Sequence, residues 1–130
     1  MSLTKSLAVV DDEMDLVNLF KEALEGDGFD VSAFTDPIEA LNHIIENPKK
    51  YSLIISDYKM PGLNGKELCT KLRADNPDLK VIIMSAYDQL ECDISKFTFV
   101  SKPIPIARLL KIVKDTLTEA NINGNYKRRS

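Results

Sequence analysis

No apolar run in this chain approaches the roughly 18 residues needed to cross a bilayer, and its N-terminus lacks a charged segment followed by a signal-like apolar stretch. Membrane insertion and export are therefore not expected, and the protein is expected to be soluble and cytoplasmic. Cysteine is scarce. Cys69 and Cys92 stand in no C-x-x-C or metal-ligand spacing, so both are read as reduced packing residues. Charge of one sign is also lacking: the net charge is −3, and the one basic cluster, Lys127-Arg128-Arg129, is a short terminal tail. That balance gives no reason to expect direct nucleic-acid binding. There is no internal repeat and no low-complexity segment. With 130 residues, 44% of them hydrophobic, the chain has material for one core and none for a second.

What is present is an alternation of two hydrophobic patterns. Residues 7–10 (LAVV), 53–55 (LII) and 81–84 (VIIM) are short, unbroken apolar runs rich in Val and Ile, as in parallel strands buried on both faces; 31–34 and 97–100 are weaker runs of the same kind. Helical periods lie between them. Leu16, Phe20, Ala23 and Leu24 keep one that stops at Gly26 and Gly28, and Ile38, Leu41, Ile44 and Ile45 follow the start signal Asp36-Pro37. Asp36 with Glu39, and Asn64 with Glu67 ahead of Leu68, Cys69 and Leu72, have the spacing of capping boxes. A last helix is expected after Pro105, carrying Ile106, Leu109, Leu110, Val113 and Leu117. His43, among apolar neighbours of the second helix, reads as a helix-surface histidine.

This pattern predicts an α/β fold: a single-domain, doubly wound sheet of five parallel strands in the order 2-1-3-4-5, flavodoxin-like. In such sheets ligands bind beyond the carboxyl ends of the strands, where the strand order reverses. That edge collects polar groups from separate runs: Asp11 and Asp12 after the first, Asp57 after the third, Ser85 after the fourth and Lys102 after the fifth. Three carboxylates so close repel one another, and a hard divalent cation relieves that conflict. Magnesium fits best, with manganese as the alternative, because it takes one or two carboxylates, keeps waters and completes its shell with a phosphate. Lys102 would supply positive charge, the Ser85 hydroxyl could donate to a phosphoryl oxygen, and Asp57 is the carboxylate suited to take the phosphoryl group as nucleophile.

The strings V-V-D-D-E at 9–13, D-Y-K-M-P-G at 57–62, M-S-A at 84–86 and K-P-I at 102–104 stand in the order found in one family. The chain resembles a receiver domain of a two-component response regulator, of the chemotaxis-receiver type, over essentially residues 5–120. The resemblance implies a phosphoacceptor signalling domain, not an enzyme acting on a separate substrate. Asp57 would accept a phosphoryl group from a phosphohistidine of a sensor histidine kinase or phosphotransfer protein, and a changed surface would then be presented to a downstream protein. It further implies that Asp12 binds the metal directly, Asp11 largely through water, and Asp57 and the Lys59 backbone carbonyl complete the protein ligands. Ser85 and Lys102 would meet the phosphoryl group, Phe99 would be the aromatic switch, Lys59 and Tyr87 would set phosphoryl lifetime, and the Lys102-Pro103 bond would be cis.

Simpler readings exist for each residue alone. Asp11-Asp12 could cap a helix, Asp57 could be a turn residue, Ser85 and Lys102 ordinary surface groups, and Phe99 plain core; one site accounts for the polar ones together. Ser85 and Lys102 are separated by fewer residues than receivers usually carry. A short fourth helix, within 90–95, is therefore expected, and with it a protein that stays monomeric. Residues 1–120 are read as the receiver and 121–130 as a polar, basic tail, with a receiver part of a longer regulator as the alternative. A pseudo-receiver acting only as an interaction module and a phosphatase of the haloacid-dehalogenase type are the rival functions. The phosphatase family places an acid two residues after its nucleophile, where this chain has Lys59.

Overall fold

The computed structural model describes residues 4–86 and 97–119. Its elements run β1 (Ser6–Val10), α1 (Met14–Gly26), β2 (Asp30–Phe34), α2 (Pro37–Glu46), β3 (Leu53–Asp57), α3 (Gly65–Asp75), β4 (Lys80–Ser85), β5 (Thr98–Ser101) and α4 (Ile106–Glu119). The strands form one sheet in the order β2-β1-β3-β4-β5, every pair parallel. The expected short helix within 90–95, Tyr87, Cys92 and the tail at 121–130 lie outside the described residues.

The apolar runs become strands because alternate side chains feed two separate cores. Leu7, Val9, Leu53, Ile55, Ile82 and Met84 project to one face, where Val17, Phe20 and Leu24 of α1 and Leu109 and Val113 of α4 cover them. Ala8, Val10, Ile54, Val81 and Ile83 project to the other, under Ala40 and Ile44 of α2 and Leu68, Cys69 and Leu72 of α3. Each fully buried aliphatic side chain contributes about 1.5–3 kcal/mol of transfer free energy, so unbroken apolar runs suit a sheet covered on both faces. Cys69 belongs to this packing: burial pushes its thiol up to about 12, with Arg73 opposing the shift, so it stays protonated and unreactive.

Strand ends differ from the sequence reading in one consequential way. The apolar run 53–55 is not the whole of β3, which continues through Ser56 to Asp57 because β4 keeps pairing with it, Asp57 lying beside Met84. Likewise β4 reaches Ser85, which lies beside Ser101 of β5. The polar groups are thus the last rungs of the ladder, not the first residues of loops. At the fifth strand the register starts one residue later than expected, and Phe97 lies before it, its ring 5.0 Å beneath the Arg73 guanidinium.

Helix boundaries follow the start and stop signals. Asn64 and Glu67 form the reciprocal capping box at α3. At α2 the Asp36 carboxylate accepts instead from the Ile38 N–H at 2.9 Å, a cap without the return bond expected from Glu39. His43 departs from its expected surface role. It is half-buried, its Nε2 lies 2.9 Å from the Tyr51 hydroxyl, and Tyr51 in turn donates to Ser32 Oγ at 2.9 Å, so the last turn of α2 is tied to β2. Tyr51 makes this so: being 4% exposed, its hydroxyl needs buried partners.

The end of α1 shows why a glycine sits there. Gly28 has φ +100°, the Phe29 N–H reaches back to the Leu24 carbonyl at 3.2 Å and the Gly28 N–H to that of Glu25 at 3.0 Å, a Schellman turn whose two apolar ends share one core. A Cβ on Gly28 meets nothing within 4 Å, so backbone strain is the sole cost of adding one. Gly28→Ala is expected to lower unfolding stability by about 1–2 kcal/mol. Urea titration should show a lower midpoint at unchanged m-value.

Candidate functional site

Three backbone hydrogen bonds carry the parallel ladder past its strands and so fix the functional side chains. The Asp11 N–H donates to the Phe34 carbonyl (3.1 Å), the Tyr58 N–H to Met84 (2.7 Å) and the Lys102 N–H to Ser85 (2.8 Å). Each bond ties a site residue, or the residue next to one, to the neighbouring strand. Together they bring Asp11, Asp12, Asp57, Ser85 and Lys102 to one edge, as the sequence reading expected of them.

Asp11 is fully buried, Ser85 is 1% exposed and Asp57 7%, while Asp12 is exposed. One oxygen from each of the three carboxylates can be chosen so that all lie within 4.8 Å of one another. Both oxygens of Asp11 are engaged: Oδ1 accepts from the Glu13 N–H at 3.0 Å, and Oδ2 lies 3.2 Å from Lys102 Nζ. The same ammonium lies 3.1 Å from Asp57 Oδ1. Lys102 therefore bridges the two buried acids, and Asp12 forms the outer wall. A cleft of about 510 Å³ opens over them, lined by Asp12, Asp57, Lys59, Met60, Ser85 and Lys102 together with Pro61 and Ala86.

The capping reading of Asp11 does not hold: α1 has Glu13 as its N-cap residue and no side-chain cap, and Asp11 accepts its backbone hydrogen bond from the N–H of Glu13 itself, in a turn ahead of the helix. One oxygen thus holds the turn that leads into α1, and the other faces the lysine. Phe99 lies on β5 beside Ile83, half-buried and not among the residues lining the cleft. The cleft also uses Met60 and Ala86, which the sequence reading had not singled out. Their signal was weak, an apolar residue inside the loop after β3 and a small one after β4.

Electrostatics distinguish the members of the cluster. Burial, reinforced by the negative charges of Asp11 and Asp12 and only partly offset by Lys102, pushes the Asp57 carboxyl from 3.8 up to about 6. For Lys102, burial alone would favour loss of the proton, but the facing charges of Asp11 and Asp57 outweigh it and hold the pKa above the ordinary lysine value. The lysine stays charged, and the acids it does not neutralise leave the cleft negative. Clustered hard oxygen donors with residual negative charge match what magnesium takes. The donor set fits that ion.

The family model described as "Response regulator receiver domain" matches residues 7–114. A curated relative, the C4-dicarboxylate transport transcriptional regulatory protein DctD of Rhizobium meliloti, is 31% identical over 116 residues, covering 85% of this chain but 25% of its own length. The chain thus spans a quarter of that regulator. A CheY-like response regulator receiver domain protein of Methanospirillum hungatei superposes with a TM-score of 0.82 at 30% identity, covering 93% of this chain and 99% of that one. The response regulator protein TrrA of Thermotoga maritima, solved in complex with Mg²⁺-BeF, gives a TM-score of 0.77 at 31% identity, covering 87% and 99%.

The raised carboxyl has a measurable consequence in metal-free buffer. Asp57 binds its proton more tightly in the folded protein, at about 6, than at the ordinary 3.8. The stability it contributes is therefore fully present below pH 3.8 and is lost as the pH rises through about 6. With EDTA present, the stability of wild type minus that of Asp57→Asn should fall across this window. A difference that is flat or rises with pH would show that the carboxyl is not raised.

Proposed function

The chain belongs to the response regulator receiver domain family, and from that premise we propose that Asp57 is its phosphoacceptor, taking a phosphoryl group from a phosphohistidine of a sensor histidine kinase or phosphotransfer protein. The observation that carries this reading is the placement of Asp57 at the end of β3, walling an open cleft, with Lys102 Nζ 3.1 Å from its carboxylate and two further acids beside it. In the transfer, a carboxylate oxygen of Asp57 forms a bond to phosphorus as the P–N bond to the donor imidazole breaks, and that nitrogen keeps the electron pair. With its pKa at about 6, Asp57 is mostly ionised at pH 7 and able to attack.

Asp12, Asp57 and the Lys59 backbone carbonyl would hold magnesium, with Asp11 acting largely through water, and the ion would supply positive charge against the phosphoryl oxygens. Lys102 does part of the same work from within the chain, because its ammonium already faces the attacking carboxylate. Ser85, buried at the end of β4 and lining the cleft, would donate to a phosphoryl oxygen and so report phosphorylation to the adjoining strand. Phe99 on β5 is the residue proposed to respond. Lys59 at the mouth, with Tyr87, would set phosphoryl lifetime. The protein is proposed to act as a cytoplasmic monomer that signals by a changed surface to another protein. Among the described residues no helix is long and apolar enough to cross a membrane.

Two measurements test this function. Incubation with acetyl phosphate and magnesium should add one labile phosphoryl group to the wild type and none to Asp57→Asn, read by phosphate-affinity electrophoresis. Equal labelling of both would move the acceptor elsewhere, and no labelling by acetyl phosphate or a cognate kinase would favour the pseudo-receiver. Magnesium at a hundred times its Kd should stabilise the fold by about 2.7 kcal/mol, and Asp12→Ala should remove most of that gain. A melting temperature indifferent to magnesium would contradict the metal site.

A further inference from the structure

We propose that Gly65, the first residue of α3, is a positioning residue for phosphoryl transfer: its bare Cα seats the helix against the backbone carbonyl of Asp57 and so fixes where the carboxylate stands. The inference rests on Asp57 being the phosphoacceptor. Gly65 does not need glycine for its backbone conformation, since Gly28 and Gly62 alone among the described glycines have positive φ. It needs glycine for space. A Cβ built on Gly65 would collide with the Asp57 carbonyl oxygen and lie 3.1 Å from Tyr58 Cα and 3.2 Å from the Asp57 carbonyl carbon, whereas one on Gly26, Gly28 or Gly62 meets nothing within 4 Å.

Neither side of this contact is free to retreat. On the helix side, the Gly65 N–H donates to the Tyr58 carbonyl at 2.7 Å, the Asn64–Glu67 capping box locks the first turn, and Cys69 is fully buried one turn on. On the strand side, the fully buried Ser56 hydroxyl donates to the same Asp57 carbonyl at 2.9 Å, and the Tyr58 N–H is held by Met84 on β4. The Asp57 carbonyl is thus clamped between the Ser56 hydroxyl and the Gly65 Cα. Any side chain at 65 must displace the Asp57–Tyr58 peptide, and with it the carboxylate that has to meet the donor phosphorus in line. Misplacement by about 1 Å is enough to cost up to roughly a hundredfold in rate.

The test compares Gly65→Ala, Ser56→Ala and Leu68→Ala in the full chain. Leu68→Ala is the control, a cavity in the same helix away from the cleft. Initial rates of phosphorylation by acetyl phosphate at saturating magnesium are divided by the folded fraction from circular dichroism, and magnesium Kd values come from calorimetry. Gly65→Ala is expected to phosphorylate about tenfold to a hundredfold more slowly per folded molecule, with weaker magnesium binding. Leu68→Ala is expected to lose stability and keep the wild-type rate and Kd. A wild-type rate and Kd in Gly65→Ala, or an equal loss in Leu68→Ala, would overturn the proposal. Should Gly65→Ala not fold, Ser56→Ala releases the same carbonyl without a clash and must slow the reaction severalfold; an unchanged rate there overturns the proposal as well. If the wild type takes no phosphoryl group, the phosphoacceptor reading fails by itself, and the magnesium Kd values still decide whether Gly65 places the carboxylate.

Discussion

The mutual repulsion of Asp11, Asp12 and Asp57, held in check by Lys102, is the constraint around which the rest of the molecule is arranged. Two like charges about 4 Å apart repel by about 4 kcal/mol at an effective dielectric near 20, against a total stability of about 5–15 kcal/mol for a typical domain. Such a cluster survives only where a cation is built in or supplied. Lys102 is built in, contacting both buried carboxylates. The cluster keeps an unneutralised share of negative charge, the condition that a hard external cation relieves. Stability has been exchanged locally for negative charge gathered beneath an open cleft.

The sheet makes that exchange tolerable. Its two apolar layers, each closed by a pair of helices, supply the burial that offsets a strained acidic edge. They also hold the edge in place, because Asp57 and Ser85 are ladder residues whose backbones are paired to their neighbours. The start of α1 reinforces the arrangement. Its Glu13 N–H satisfies Asp11, and the positive end of a helix dipole favours the negative charge gathered there.

Much of this was legible in the sequence because the relevant signals are local. Buried parallel strands read as unbroken Val and Ile runs, Asp36-Pro37 and Asn64 mark helix starts, and polar residues after apolar runs mark one edge once the strand order is chosen. What was not legible depends on partners distant in the chain. That β3 extends through Asp57 is decided by pairing with Met84, not by the propensity of Ser56 or Asp57. His43 looked like a surface residue because its partner Tyr51, which in turn donates to Ser32 on β2, lies on another segment. Nothing local to Gly65 marks a need for glycine, and the lack of room for a side chain becomes visible only when the Asp57 carbonyl is seen against it.

Asp11 and Lys102, joined by an ion pair, are 91 positions apart in the chain, and β5 is the last strand to join the sheet edge. Contacts of such long sequence separation carry a loop-closure cost that must be met before they return any free energy, so they form late. During synthesis the first three strands can leave the ribosome and begin to pair while the lysine is still untranslated. The acids then face one another without their counter-ion. Until the fifth strand arrives, the acidic edge lacks its built-in cation, and the core layer under α1 lacks the cover of α4, which follows that strand in the chain.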